Sequence, residues 1–407
     1  MIPTVQNLTA ATPVPSVATL GFESAEKVLG PDLHARWIDI DELETKISAW
    51  NHLAQNALWC TPALESNYLL PALKYLDSQA VRMLVVEDQN APEARELVAV
   101  VPIETKRIYR LPFKAAEVWR HDQCFNATPL LDRRCATGAW ERICELLVSE
   151  DYSLLSLDTV SADPDVDAVF KNLERRPGVT RFQRDRFERA GFAPHESGDD
   201  YILEHVSKGL RKKLRRYIVK LEAIGKVSWE PSSEGSNFEQ LAEEFMRIEA
   251  SGWKGRGGTA LACSESTEAF FRELIQRSAA QDKARFLSLK LDGKPISMIC
   301  DIQSGATVYC YKTAYDDTFA AYSPGLQTEF KSVEYLHRDG IKHGDSCTSP
   351  GSSSLSRIWG QRVELQNVVF SLKSGLAQAA VRALPKIQSV LKGLRSLKSG
   401  GSPGVQA

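Results

Sequence analysis

His121 and Asp122 stand together in "WRHDQCFNATPLL", a polar break between apolar runs. A neutral imidazole can take a proton near pH 7, which makes His121 the first candidate for a general base; the competing role is a packed or surface histidine. Asp345 in "HGDSCTSPG" is a second candidate, a carboxylate that could accept a proton or orient an acceptor, or simply cap a loop. It falls near the end of an expected strand, where α/β sheets commonly bind their ligands. Lys312 and Tyr315 in "YCYKTAYDD" put a cation and a phenol at another strand end. "GWKGRGG" sets Trp253, Lys254 and Arg256 on a glycine-flanked turn that could meet a phosphate or a carboxylate, or merely terminate a helix. The eight cysteines show no CxxC pair and no Cys/His ligand spacing, so no metal is expected and the thiols read as reduced. No nucleophile elbow is present, and chemistry here would proceed without a covalent enzyme intermediate.

The strongest charge feature is "KGLRKKLRRYIVKLEAIGK", with eight basic side chains against Glu222 alone. The whole chain of 407 residues carries a net charge of −2, so the basic run is local and a dedicated DNA-binding role is disfavoured. Leu210, Leu214, Tyr217, Ile218, Leu221 and Ile224 recur at helical spacing and predict an amphipathic helix over 208–224, docked on a core. Its cations, Arg211, Lys212 and Arg215 among them, would then attract an anionic substrate or donor. A second basic stretch follows Glu364, after which no acidic residue occurs. Leu384, Ile387, Leu391, Leu394 and Leu397 line one face of it, a pattern that suits an anionic membrane surface. A helix packed on the body or an oligomer contact fits as well. The N-terminus lacks a basic n-region, and no run approaches the roughly 18 apolar residues of a membrane span. The expectation is a cytoplasmic protein, placed peripherally at the inner membrane if the tail binds lipid.

These residues need a frame. Residues 1–30 read as a mobile leader. Thr61 and Pro62 predict a helix start. From residue 81 the chain reads strand, strand, extended region, helix, strand, ending near 158. The same order returns over 285–348, where Asp292-Gly293 supplies a hairpin turn and Ser323-Pro324 opens a helix. This architectural repeat predicts an α/β (α+β) protein of two similar units, each a twisted mixed sheet flanked by helices. They would span 31–206 and 207–372, with a basic tail at 373–407.

"LRKKLRRYIVKLEAIGKVSW", "RIEASGWKGRGGTA" and "LDGKPISMICDIQSGATVYCYKTAYDDTFAAYSPG" together resemble the GNAT acyltransferase superfamily. More closely they resemble its CelD-like tandem branch, related in architecture to FemAB-type aminoacyl transferases; "RHDQCFNATPLLDR" adds a weaker match. The resemblance implies tandem GNAT domains and an acyl donor, usually acyl-CoA, seated where two parallel strands splay apart. It also implies a pyrophosphate at a helix N-terminus, where unpaired N–H groups and the dipole favour negative charge. In this chain that place is "AYSPGLQTEF", with Ser323, Gly325, Leu326 and the nearby Lys312 as donor-binding residues. The superfamily's glycine-rich turn is reduced here to Gly325, and Pro324 removes one donor. That departure leaves an acyl carrier protein or aminoacyl-tRNA open as donor, and a non-catalytic accessory role in polysaccharide synthesis as a further alternative. On the leading reading the acceptor is an amino group of a sugar, exopolysaccharide precursor or lipid base, with Tyr315 donating to the leaving thiolate or the carbonyl oxygen.

Overall fold

The computed structural model describes residues 31–109, 111–349 and 354–399; the expected leader lies outside them. The strands are β1 (Leu33–Ile38), β2 (Val81–Asp88), β3 (Leu97–Lys106), β4 (Ala115–Val118), β5 (Leu130–Leu131), β6 (Leu154–Ser161) and β7 (Thr180–Phe192). They continue with β8 (Val227–Pro231), β9 (Ala284–Leu291), β10 (Lys294–Ser304), β11 (Thr307–Tyr315), β12 (His343–Asp345) and β13 (Gln361–Ser371). All thirteen join one mixed sheet in the order β1-β2-β3-β4-β6-β13-β7-β12-β11-β10-β9-β8, with β5 attached to β3. Two neighbouring pairs are parallel, β4 with β6 and β11 with β12.

Read from either end, the strand order is the same. β1 through β6 correspond in sequence to β8 through β12, and each series closes on a strand from the other half. β13, at the end of the chain, pairs with β6, while β7 pairs with β12. β7 and β13 pair with each other along eleven residue pairs. The expected repeat is therefore present, and a division near residue 206 falls between two helices while the sheet runs through it. Exchanging one long strand each way ties the halves by backbone hydrogen bonds.

Local sequence explains most elements. Asp292 and Gly293 both take positive φ, 49° and 76°, as the tight β9–β10 turn requires. Asp163 accepts from the Asp165 amide and starts the helix Pro164–Leu173. Thr61 and Pro62 do open a helical turn, the 3₁₀ segment Pro62–Leu64, but the Thr61 hydroxyl donates to the Asn126 carbonyl at 2.9 Å instead of capping it, and the α-helix follows at Ser66. The buried Thr61 hydroxyl gives its proton to that carbonyl, and its oxygen accepts from no amide of the turn.

The basic helix spans Lys208–Glu222. Leu210 and Leu214 pack with Ile299, Val333 and Leu336, and Leu221 packs with Leu289, Leu291 and Ile296. Ile224, placed on the apolar face by the spacing, is 53% exposed because it lies beyond the helix end. The tail forms a helix, Leu376–Ser399, whose Val381 and Leu384 are buried against Phe182 and Val369. Gln388 also donates to the Arg184 carbonyl at 3.0 Å. Leu384, the first residue of the membrane stripe, is thus buried in the body, whereas Ile387, the second, is 42% exposed. The side chains from 389 onward lie outside the described residues. Among the described residues no helix is long and apolar enough to cross a membrane.

Candidate functional site

β11 and β12 stay paired only from Thr307–His343 to Tyr309–Asp345. Beyond that point β11 runs on to Tyr315 and the chain after Asp345 turns away, which opens a wedge. The β10–β11 ladder slips between Cys300 and Ile302, opposite Cys310 and Tyr311. Such a bulge leaves a residue unpaired and re-aims the strand beyond it. The helix Pro324–Arg338 begins at the open end of the wedge.

Ser323 stands before that helix in the left-handed region, φ 49°, and its side chain makes no capping bond. Gln327 is the first helix residue to donate back, to Ser323 O. The amides of Gly325 and Leu326 have no partner among the described residues. Gly325 packs closely on the end of β11: a Cβ there would lie 3.1 Å from Tyr315 Cδ1 and 3.5 Å from Thr313 Cγ2, so Tyr315 would have to give by a few tenths of an ångström. The missing side chain lets the helix start sit down on β11.

Lys254, Trp253 and Tyr315 meet at the edge of the wedge, as their spacing could not reveal. They gather around Glu249, whose side chain is 0% exposed. Lys254 Nζ donates to Glu249 Oε1 at 3.0 Å and to the Thr313 carbonyl at 3.1 Å. Lys312 Nζ stands 3.9 Å from the same Glu249 oxygen. Burial pushes the Lys312 ammonium below its usual range; Glu249 opposes that shift and Lys254 adds to it. Arg256 turns outward to Asp317 at 2.6 Å, and Trp253 is 56% exposed. Gly255 is obligatory in this turn, since a Cβ would fall 1.8 Å from the Ala250 carbonyl oxygen.

Glu329 lies one turn into the helix, buried, with Oε1 3.3 Å from Thr313 Oγ1 and with the Ser354 side chain beside its carboxyl. Burial raises its carboxyl to about 7. Asp301, opposite the bulge, is likewise raised to about 7 by burial and keeps Oδ1 unpartnered. Sequence reasoning missed Glu249, Asp301 and Glu329, although a signal existed. Glu249 follows Ala242, Phe245 and Met246 on the buried helix stripe, Glu329 shares a stripe with Val333 and Leu336, and Asp301 interrupts an apolar strand. A carboxylate at a core position costs free energy unless it is paired or neutralised, so such positions call for an explanation.

Two expected residues do other things. Asp345 sits at the apex of the wedge and is held by Arg189 of β7, with Nε–Oδ1 and Nη2–Oδ2 both 2.5 Å. Oδ1 also accepts from the Cys347 amide at 3.0 Å, while Arg189 Nη1 donates to the Phe125 carbonyl. With both oxygens engaged and 3% exposure, Asp345 is a structural tie between halves rather than an acid–base group. His121 lies in the other half, beside Trp119 and Phe270, on an open cavity of about 580 Å³ bordered by Arg120, Asp122, Glu104 and Lys106. Burial pushes its imidazole down to about 3, and Nε2 has no partner. It does not join the wedge. Where the halves meet at Tyr68, Phe125, Tyr309 and Tyr311 the space is filled to a void of about 10 Å³, while a cavity of about 530 Å³ opens between them elsewhere, lined by Trp59, Asp163 and Phe192 from one half and by Thr307, His343 and Arg362 from the other.

The basic helix lies against the segment Asp317–Tyr322 that leads into the helix start. Arg215 and Lys212 are exposed, whereas Arg211 is half-buried with Nε unpartnered. No ion pair forms from any cation of this helix to a described residue.

Residues 208–351 match the profile of the family described as "Acetyltransferase (GNAT) domain". No curated protein sequence matches the chain. Among solved structures, FemX is similar over 85% of this chain and 99% of its own, with 11% identity and a TM-score of 0.54. A protein of unknown function from Bacteroides thetaiotaomicron covers 83% and 99% at 12% identity and 0.51. The C-terminal domain of a putative lysylphosphatidylglycerol synthetase from Agrobacterium fabrum covers 83% and 95% at 11% identity and 0.50. Residues 208–351 thus carry the profile of a GNAT acetyltransferase domain, inside a chain whose doubled strand order gives it a fold similar to that of FemX.

Proposed function

We propose that the protein is an N-acyltransferase that seats an acyl-CoA in the wedge between β11 and β12 and passes the acyl group to an amine. The observation that carries this reading is the wedge itself, bounded by a bulged strand and by a helix start with two unpartnered amides. Those amides, from Gly325 and Leu326, would meet the pyrophosphate beyond Ser323. Lys254 and Lys312 supply positive charge beside the thioester, and Tyr315 can protonate the leaving thiolate. Glu329, raised to about 7, replaces His121 and Asp345 as proton acceptor, because a base works best with a pKa near the working pH. The acceptor is an amine on a sugar, an exopolysaccharide precursor or a lipid base, and the first part of the tail is taken up by the body.

One observation favours a second donor. The unpaired cations of the helix Lys208–Glu222 beside the helix start suit a longer polyanion, which makes aminoacyl-tRNA the alternative. Thermal unfolding in the presence of acetyl-CoA, a long-chain acyl-CoA, free CoA or aminoacyl-tRNA separates the two. Stabilisation that grows with thioester concentration is the expected result. No shift with any thioester would sink the CoA reading, and no shift with any of the four would sink both.

A further inference from the structure

Away from the wedge, the connection between β7 and the helix Gly198–His205 brings two histidines and a glutamate together. His195 Nε2 and His205 Nε2 face each other at 3.0 Å, with ring planes at 88°. Glu204 Oε1 is 3.8 Å from His205 Nε2, and Glu204 Oε2 is 3.6 Å from His195 Nδ1. We propose that His195, His205 and Glu204 form a binding site for one divalent transition-metal ion of the zinc–cobalt–nickel class.

The surroundings hold the imidazoles in place. Tyr201 stacks edge-on against both rings, with centroids 5.1 Å and 4.6 Å away. The His205 ring is wedged onto Gly360, where any Cβ would fall 2.1 Å from Nδ1. Gln361 Oε1 accepts from Tyr201 OH at 3.0 Å and from the Ala193 amide at 3.2 Å, which turns its NH₂ group toward His205 Nε2 at 3.3 Å.

Two nitrogens about 3.0 Å apart can serve as adjacent ligands of one ion, because metal–nitrogen bonds of about 2.0–2.1 Å span such a separation at angles near or above 90°. A carboxylate as third ligand with an open fourth position suits the same metals. The ion would pin three parts of the chain at the seam of the halves: the end of β7, the helix Gly198–His205 and, through His205 on Gly360, the start of β13. His195 is tied besides to the helix Pro324–Arg338, its amide donating to His337 Nε2 at 3.2 Å. The site would thus act on the joint between the halves and not on the wedge chemistry.

The test uses untagged full-length protein stripped with EDTA, since a histidine tag would bind the probe. Zn²⁺ titration should give one saturable site and raise the melting temperature by about 2 °C or more at a hundredfold excess over Kd. Co²⁺ should develop d–d absorption with the same stoichiometry. His205→Gln should lower affinity at least about tenfold, as should Glu204→Gln, a surface change that leaves the metal-free melting temperature unaltered. Absence of saturable binding to the wild type would overturn the proposal, and so would equal Zn²⁺ affinity in wild type, His205→Gln and Glu204→Gln.

Discussion

Asp345→Asn is the sharpest probe of how the halves are joined. The Arg189–Asp345 pair is bidentate at 2.5 Å, and each side chain is 3% exposed. Asparagine keeps one acceptor oxygen for Arg189 but sets an NH₂ group against the second guanidinium N–H and leaves the buried charge without a counter-ion, held otherwise by the Phe125 carbonyl. Breaking a buried pair from one side costs about 3–5 kcal/mol, and two charges about 4 Å apart at an effective dielectric near 20 give the same scale. With a urea m-value of about 3 kcal/mol/M, the midpoint should fall by about 1 M or more. Urea unfolding followed by tryptophan fluorescence and far-UV circular dichroism reads this directly. The double variant Arg189→Met/Asp345→Asn removes the stranded charge and should recover most of the loss, giving a coupling energy of a few kcal/mol in a double-mutant cycle. A single-variant cost below about 1 kcal/mol, or a double variant as unstable as the sum of the two singles, would refute the structural role assigned to Asp345. Retained ligand stabilisation in the double variant would separate that role from catalysis.

Three further outcomes follow from the same geometry. The Glu329 carboxyl is raised from 4.5 to about 7, so its contribution to stability is complete below about 4.5 and is lost as pH rises through about 7. Glu329→Gln should therefore flatten that decline, by on the order of 2 kcal/mol between pH 5 and pH 8, as checked by urea midpoints at the two values. His121 is depressed from 6.5 to about 3, so its contribution is present above about 6.5 and fades as pH falls toward 3. His121→Phe should shift the acid-unfolding midpoint downward without loss at neutral pH. Gly255→Ala, whose methyl would sit 1.8 Å from the Ala250 carbonyl oxygen, should cost about 2 kcal/mol or more. It should also shift Trp253 emission and abolish donor stabilisation in the thermal assay.

The fold was largely legible in the sequence because its signals are local. The β-rich apolar run in "VRMLVVEDQ", the Asp292-Gly293 turn and the Ser323-Pro324 helix start each depend on a few neighbouring residues. The repeat of element order needed only those signals in succession. The site was legible in part. The nearness of Lys312, Tyr315 and Gly325 could be read from the order of the elements that carry them, whereas the arrival of Lys254 beside them could not. His121 and Asp345 do not join them. A polar residue in an apolar context looks the same in sequence whether it faces a ligand or a buried counter-ion, and Asp345 meets its counter-ion 156 residues away.

The chain by itself determined which segments become strands and helices, where the apolar faces lie, and that two similar series follow one another. Periodicity and turn chemistry act over a few residues and need no distant partner. Only the tertiary structure decided that β7 and β13 trade places between the halves, that Arg189 neutralises Asp345, and that Glu249 and Glu329 sit beneath the wedge. Those outcomes depend on which distant groups arrive together, and on the free-energy cost of a charge left in the interior without a partner. No spacing along the chain encodes that cost.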